Sequence, residues 1–137
     1  MNTNLETWHH IIFNQDTTKL LATLADDVVF HSPVVHTPQI GKQITFLYLS
    51  AAFVVFSNDT FKYVREVVNE TETLLEFEVE IDGILVNGID MISWNDEGKI
   101  TSFKVMLRPL KAVNLIHQKM GEILMKYQQK KINTYFL

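Results

Sequence analysis

A run of alternating apolar and acidic residues in the second half of the chain constrains the fold most strongly. Glutamates at positions 76, 78 and 80 lie between the apolar residues Leu75, Phe77, Val79 and Ile81. This period of two is typical of a strand with one buried face. Residues 60–69, 84–94 and 99–107 also read as strands, and the turn sequences 82–83 and 95–98 are rich in Asp, Asn and Gly. The sequence therefore predicts four hairpin-linked strands in an antiparallel sheet.

Helical periodicity appears before and after these strands. Residues 5–14 form one predicted helix, Asp16 is the expected N-cap of a second, and the almost wholly apolar residues 42–56 form a third. A short strand, residues 28–30, lies between the second and third helices, and Pro109 opens a closing helix that extends to about Lys131. Helices, then a strand meander, then a helix indicate an α+β fold with helices on one face of a curved sheet.

Length and composition limit the organisation and the function classes. A chain of 137 residues fits one domain, which we expect to span 1–137, with a core of about 4–110 and a C-terminal helix of about 109–131. The absence of cysteine excludes disulfides and thiolate chemistry, and no cofactor is indicated. The net charge of −4 does not indicate nucleic-acid binding by the chain as a whole.

Targeting and membrane signals are not found. The first eight residues lack the pattern of a secretory signal, and the uncharged stretch 43–58 is shorter than the roughly 20 apolar residues of a spanning helix. We therefore expect a cytoplasmic protein with no membrane partner.

The end of the chain is basic, including Lys119, Lys126, Lys130 and Lys131. A solvated or dimer-docked helix is the preferred interpretation, and a polyanion site is the alternative.

One acidic residue interrupts an apolar row on the strand 84–94. Alternation places Asp90 on the face that carries Val86, Ile92 and Trp94, in step with Phe103 and Val105 of the next strand. A buried carboxylate without a partner costs several kcal/mol, so Asp90 must be paired, hydrogen-bonded or protonated. It is either a pocket acid with a raised pKa or a structural residue bonded to a core Trp, Tyr or backbone N–H.

Two separated motifs resemble the nuclear transport factor 2-like superfamily. They are residues 14–41, which include Asn14-Gln15-Asp16, Leu24-Ala25-Asp26-Asp27-Val28-Val29-Phe30, Pro33 and Gly41, and residues 89–100, which include Ile89-Asp90 and Asn95-Asp96-Glu97-Gly98-Lys99-Ile100. The chain is most similar to ketosteroid isomerases and SnoaL-like proteins, in an uncharacterised bacterial branch. The resemblance implies a cone-shaped, cystatin-like α+β domain with the N-terminal helices on the concave face of the sheet. This fold hosts enzymes, binding modules and assembly domains.

The resemblance matches only some of the catalytic residues of the isomerases to residues of this chain. It places Asp90 where those isomerases keep a protonated aspartic acid in the oxyanion hole. The tyrosine position holds Trp8, and the general-base position holds Ser32, so the steroid-isomerase mechanism is not expected. The epoxide hydrolases of the superfamily have an arginine where this chain has Gly88, so that activity is not expected either.

Other candidate site residues follow from position and residue type. His36 lies on the loop that would roof the cone, where an imidazole suits acid–base work. His31 is expected at the surface or the edge of the core. The adjacent His9 and His10 point apart, so no metal site is predicted. The inward residues that fill the core or line an apolar pocket are Trp8, Ser32, Phe46, Phe53, Phe56, Phe77, Phe103 and Val105.

These patterns predict a protein that binds a small hydrophobic molecule, with acid–base chemistry of isomerase, cyclase or dehydratase type. The alternative is a non-catalytic ligand-binding or dimerisation module. An apolar outer patch, Leu85, Ile89, Met91 and Met106, predicts a homodimer through the sheet.

Overall fold

The computed structural model describes residues 3–136, with side chains described through residue 127. The helices are α1 (Thr3–Asn14), α2 (Thr17–Thr23), α3 (Lys42–Phe56) and α4 (Leu110–Phe136). The strands are β1 (Leu24–His31), β2 (Gln39–Ile40), β3 (Lys62–Val68), β4 (Glu72–Ile81), β5 (Ile84–Trp94) and β6 (Ile100–Arg108). The predicted helix 42–56 is confirmed at both ends, and Asp16 caps α2 by accepting a hydrogen bond from the Lys19 backbone N–H at 3.0 Å.

The six strands form one curved sheet in the order β2-β1-β6-β5-β4-β3. Strands β3 to β6 form the predicted antiparallel meander. Strand β1 is longer than predicted and pairs with β6 in parallel, so the sheet is mixed rather than wholly antiparallel. The α+β prediction is confirmed.

The core lies between the helices and one face of the sheet, in two clusters. The larger cluster joins α1, α2 and α3 to the sheet through residues such as Trp8, Leu49 and Phe103. The smaller cluster includes Ala112 and Ile116 of α4, which pack against Phe77 and Val86. Helix α4 is therefore anchored to the domain along one side.

The charges of α4 lie away from the core. Lys119 Nζ contacts the Asp82 carboxylate at 3.0 Å, in the β4–β5 turn, and Lys126 is exposed. The side chains of Lys130 and Lys131 lie outside the described residues. The part of α4 that carries described side chains thus has its lysines at the surface.

Candidate functional site

Asp90 occupies the middle of β5, and its side chain points to the helices. Its Cα partners on the neighbouring strands are Leu75 and Val105, both apolar, and the residue is only 8% exposed. None of the ion pairs among the described residues involves Asp90. The carboxyl group is therefore buried without a cation.

Tyr63 is the hydrogen-bond partner of this carboxyl group, and Trp8 in turn bonds Tyr63. The indole Nε1 of Trp8, from α1, donates to the Tyr63 hydroxyl oxygen at 2.9 Å. The Tyr63 hydroxyl, from β3, in turn hydrogen-bonds with Asp90. A chain of donors thus leads from Trp8 through Tyr63 to the carboxyl group.

This chain tunes the acidity of both titratable groups. Burial raises the pKa of Asp90 to about 7, and the hydrogen bond with Tyr63 opposes that rise. Burial also raises the pKa of Tyr63 well above its ordinary value, and the negative charge of Asp90 adds to the effect. Asp90 therefore exchanges its proton near neutral pH while Tyr63 keeps its own. A carboxyl group of this kind can both donate to and accept from a bound oxygen.

Tyr63 is not among the residues predicted from the sequence. The pattern around Asp90 indicates a core tyrosine as one possible hydrogen-bond partner without specifying its position. Tyr63 lies opposite Phe77, an inward residue of β4, but this pairing depends on the register with the partner strand and has no local sequence signal. The two interpretations of Asp90 do not exclude each other, because its pKa is raised by burial while a hydrogen bond with Tyr63 opposes the rise.

A small cavity lies against Asp90, and we call it the Asp90 chamber. It measures about 50 Å³, and Asp90 is the one ionisable side chain among its described lining residues. Six of the predicted pocket residues line it: Trp8, Phe53, Phe56, Phe77, Phe103 and Val105. The apolar lining explains the raised pKa, because it offers no solvation to a carboxylate.

Two larger cavities adjoin the Asp90 chamber. The α1 chamber, about 130 Å³, lies between the end of α1 and the end of α3. The α4 chamber, about 140 Å³, lies between α4, β1 and the segment Ser32–Val35. Phe56, the last residue of α3, lines all three cavities. The interior therefore contains a row of neighbouring cavities with Asp90 in the middle one.

The remaining predicted residues lie outside the Asp90 chamber. Ser32 lines the α4 chamber, and its hydroxyl accepts a hydrogen bond from the Val34 backbone N–H at 3.2 Å. Phe46 packs against the larger core cluster. His36 is exposed on the loop after β1, His31 is partly buried, and neither lines the cavities described above.

Gly88 lets Phe77 approach the sheet closely. A Cβ atom at position 88 would lie 2.5 Å from Cζ of Phe77 and 2.8 Å from the backbone oxygen of Met106. The ring of Phe77 therefore occupies the space into which a side chain at this position would point.

His9 and His10 point apart, as predicted. His9 Nε2 lies 2.5 Å from the Glu66 carboxylate, and His10 Nε2 lies 2.9 Å from the Asp16 carboxylate. Among the described residues, no group of three or more His, Asp or Glu side chains is placed to hold a metal ion. Nor does any helix in this part of the chain have the length and apolar character needed to span a membrane.

Comparisons with known proteins identify the family through structure. No protein-family model matches the chain, and no curated protein matches it either. A steroid delta-isomerase from Pseudomonas aeruginosa is 32% identical, with a TM-score of 0.85 and 92% of each chain covered. An uncharacterised bacterial protein with a cystatin-like fold from Silicibacter pomeroyi is 27% identical, with a TM-score of 0.83, over 91% of this chain and 87% of that one.

A more distant structure widens the range of chemistry found on this fold. The epoxide hydrolase/cyclase-like enzyme of pyran-ring formation in salinomycin is 14% identical, with a TM-score of 0.61, over 77% of this chain and 90% of that one. At this identity the likeness is one of fold alone. The identity and coverage of the steroid delta-isomerase carry the assignment. The chain belongs to the nuclear transport factor 2-like superfamily, which includes the SnoaL-like proteins.

Proposed function

We propose that this protein is an acid–base enzyme that acts on an oxygen-bearing, hydrophobic small molecule in the Asp90 chamber. The observation that carries the proposal is a buried carboxyl group with a pKa of about 7, hydrogen-bonded to Tyr63 inside an apolar cavity. A neutral Asp90 would donate a hydrogen bond to a carbonyl oxygen and stabilise the negative charge that develops there. Isomerisation through an enolate, aldol-type cyclisation and elimination of water next to a carbonyl group all pass through such a charge.

The likeness to a steroid delta-isomerase supports isomerase-type chemistry, but the missing general base argues against an identical mechanism. Ser32 stands at the position where the resemblance expects a carboxylate, and a serine hydroxyl has no useful basicity. We propose His36 as the second proton-transfer group, because it directly follows the segment Ser32–Val35 that lines the α4 chamber. The exposure of His36 requires the loop to fold inward when ligand is bound.

A test needs no knowledge of the natural substrate. Enolisation of a simple ketone such as 2-nonanone exchanges its α-hydrogens for deuterium in D2O, and NMR follows the exchange. We expect the protein to accelerate exchange above the buffer rate and Asp90→Asn to reduce the acceleration, because an amide is a weaker hydrogen-bond donor than a neutral carboxylic acid and cannot transfer a proton. Asp27→Asn, which changes an exposed carboxylate, is the control and should exchange like the unaltered protein. Equal acceleration by Asp90→Asn would disprove the proposed role.

A non-catalytic ligand-binding module is the second candidate. The observation in its favour is that Asp90 is the one ionisable group among the described residues lining its chamber. In that case 2-nonanone would bind and shift the Trp8 indole N–H signal, but the unaltered protein would not accelerate exchange. The two measurements on one sample therefore separate the two functions.

We also propose a homodimer through the outer face of the sheet. Leu85 and Met106 are 57% and 51% exposed there. Ile89 is the Cα partner of Met106, so the apolar residues are continuous across β5 and β6. Burial of this patch against a second copy would remove it from water.

A further inference from the structure

We infer that helix α4 and the segment Ser32–Val35 form a second binding subsite, which holds the apolar tail of a ligand whose oxygen lies at Asp90. This inference rests on the proposed function of the Asp90 chamber. It assigns the ligand to a class, that of elongated and mainly aliphatic molecules with a carbonyl or hydroxyl group at one end.

The size of the Asp90 chamber requires a second subsite. At about 50 Å³ it has room for one or two water-sized groups. A dry cavity that holds a single benzene ring measures about 150 Å³. The chamber can therefore take the polar end of a ligand but not its body, and the body must extend into a neighbouring cavity.

The α1 chamber is the less suitable neighbour. Gln15 hydrogen-bonds Ser57 across its lining, and Asn58 Nδ2 donates to the Glu80 backbone oxygen at 2.9 Å. These bonds hold polar side chains over that end of the cavity. An aliphatic tail placed there would displace them and leave their polar groups unsatisfied.

The α4 chamber adjoins the Asp90 chamber and suits an apolar tail. Both cavities are lined by the same four side chains, which form the partition between them: Phe30, Ala52, Phe56 and Val105. No Asp, Glu, Lys or Arg is present among the described residues that line the α4 chamber. A tail that passes between these four side chains would leave water at little polar cost.

Helix α4 presents a regular stripe to this chamber. His117, Met120, Gly121 and Leu124 line it at the spacing i, i+3, i+4, i+7, which is one face of a helix. Ala112 packs into the smaller core cluster, and Ile116 and Met120 contribute both to that cluster and to the chamber lining. One side of α4 is therefore packed, and the adjacent side roofs an open space.

Gly121 is the feature that keeps this space open. A glycine inside a helix costs about 1 kcal/mol relative to alanine. Neither the backbone nor the packing requires it here, because its φ is not positive and a Cβ atom would meet no other atom within 4 Å. The missing side chain leaves volume at the chamber. Gly121 and His117 also line a surface groove on α4, so the chamber reaches solvent beside them.

Methyl ketones of two lengths test the subsite. The carbonyl of 2-pentanone and of 2-nonanone should shift the Trp8 indole N–H signal, because both oxygens would lie near Asp90. The tail of 2-nonanone should in addition shift the Met120 and Leu124 methyl signals. Each buried methylene is worth about fourfold in affinity, so 2-nonanone should bind tens to hundreds of times more tightly.

A filled chamber provides the decisive comparison. Gly121→Phe should bring the affinity for 2-nonanone to within about fivefold of that for 2-pentanone, while the Trp8 response to 2-pentanone persists. Gly121→Leu is a smaller second variant that should reduce the difference in part. Gln118→Phe places the same ring on an exposed position of α4, outside the chamber lining, and should preserve the full difference. Thermal unfolding confirms that each variant is folded.

The possible failures are distinguishable. If Trp8 responds to both ketones but Gly121→Phe leaves the preference for 2-nonanone intact, the tail lies elsewhere and the inference is wrong. If Met120 responds to 2-nonanone while Trp8 responds to neither ketone, the α4 chamber is an independent apolar site. That result overturns the inference and the proposed function together.

Discussion

The buried carboxyl group of Asp90 makes the stability of the protein depend on pH. Its pKa is about 7 when folded, against about 3.8 in a solvated chain, so the folded protein binds the proton more tightly. The contribution of Asp90 to the free energy of unfolding is therefore most favourable below pH 4. It falls as the pH rises towards 7, because ionisation is easier in the unfolded chain.

Asp90→Asn should remove this pH dependence. The amide keeps the shape and the hydrogen-bonding capacity but carries no charge at any pH. Between pH 5 and pH 8 we expect the unaltered protein to lose roughly 3 kcal/mol of stability relative to the variant. Urea unfolding at the two pH values measures the difference, and a constant difference would show that Asp90 has an ordinary pKa.

Tyr63→Phe tests the same chain of hydrogen bonds by removing the hydroxyl group that links Trp8 to Asp90. Loss of the hydroxyl leaves the Trp8 indole N–H without its acceptor, which should cost about 1–3 kcal/mol. It also removes the group that lowers the pKa of Asp90, so that pKa should rise above 7. Denaturation and carboxyl titration of the variant check both effects, and a lower pKa in the variant would be incompatible with the geometry described.

The inward position of Asp90 could be predicted from the sequence, but that of Tyr63 could not. Alternation along β5 is regular and points Asp90 inward. Strand β3 lies at the sheet edge, and its pairing with β4 shifts register between Tyr63 and Arg65. These two residues would share a face in a regular strand, but Tyr63 pairs with inward Phe77 and Arg65 with outward Glu76. An irregularity of this kind depends on the partner strand.

At the scale of the elements, boundaries were predictable where local signals are strong. Gly41 precedes α3 and an apolar run fills it, so its limits could be predicted. The start of β1 was placed too late, because the exposed pair Asp26-Asp27 looks like a turn. Its pairing with β6 shifts register between Leu24 and Val29, which accommodates these polar residues inside the strand.

The two glycines Gly88 and Gly121 should respond in opposite ways to alanine. Gly88→Ala places a Cβ atom 2.5 Å from Phe77 Cζ and should destabilise the protein by about 1–3 kcal/mol. Gly121→Ala meets nothing within 4 Å and should stabilise it by about 1 kcal/mol. Each variant serves as the control for the other in thermal unfolding. Similar effects of the two substitutions would contradict the packing described.

At the scale of the whole molecule, the order of elements predicted the α+β class but not the complete topology. Hairpin turns report only on strands that are neighbours in sequence. The parallel pairing of β1 with β6 joins residues about 75 positions apart, such as Phe30 with Phe103. No local sequence pattern predicts this pairing. The number and sizes of the cavities between sheet and helices could likewise not be predicted from the sequence, because they depend on how the side chains fill a curved space.

The proposed dimer belongs to this scale. Light scattering at micromolar concentration should give about twice the chain mass of 15.9 kDa. Met106→Lys, on the outer face of the sheet, should shift the mass towards one chain by placing a charge in the interface. Val54→Lys, at a 58% exposed position on α3, should leave the mass unchanged. A mass near one chain for the unaltered protein would rule the dimer out.

The most direct test of the proposed chemistry is the titration of the Asp90 carboxyl group by carbon-detected NMR. We expect a midpoint near pH 7, because burial without a cation outweighs the hydrogen bond from Tyr63. Asp27 in the same spectra provides an exposed carboxyl group for comparison. A midpoint for Asp90 at or below about 3.9, the value of a solvated aspartic acid, would mean an ionised and fully satisfied side chain. The proposed role of Asp90 as a neutral hydrogen-bond donor would then have to be abandoned.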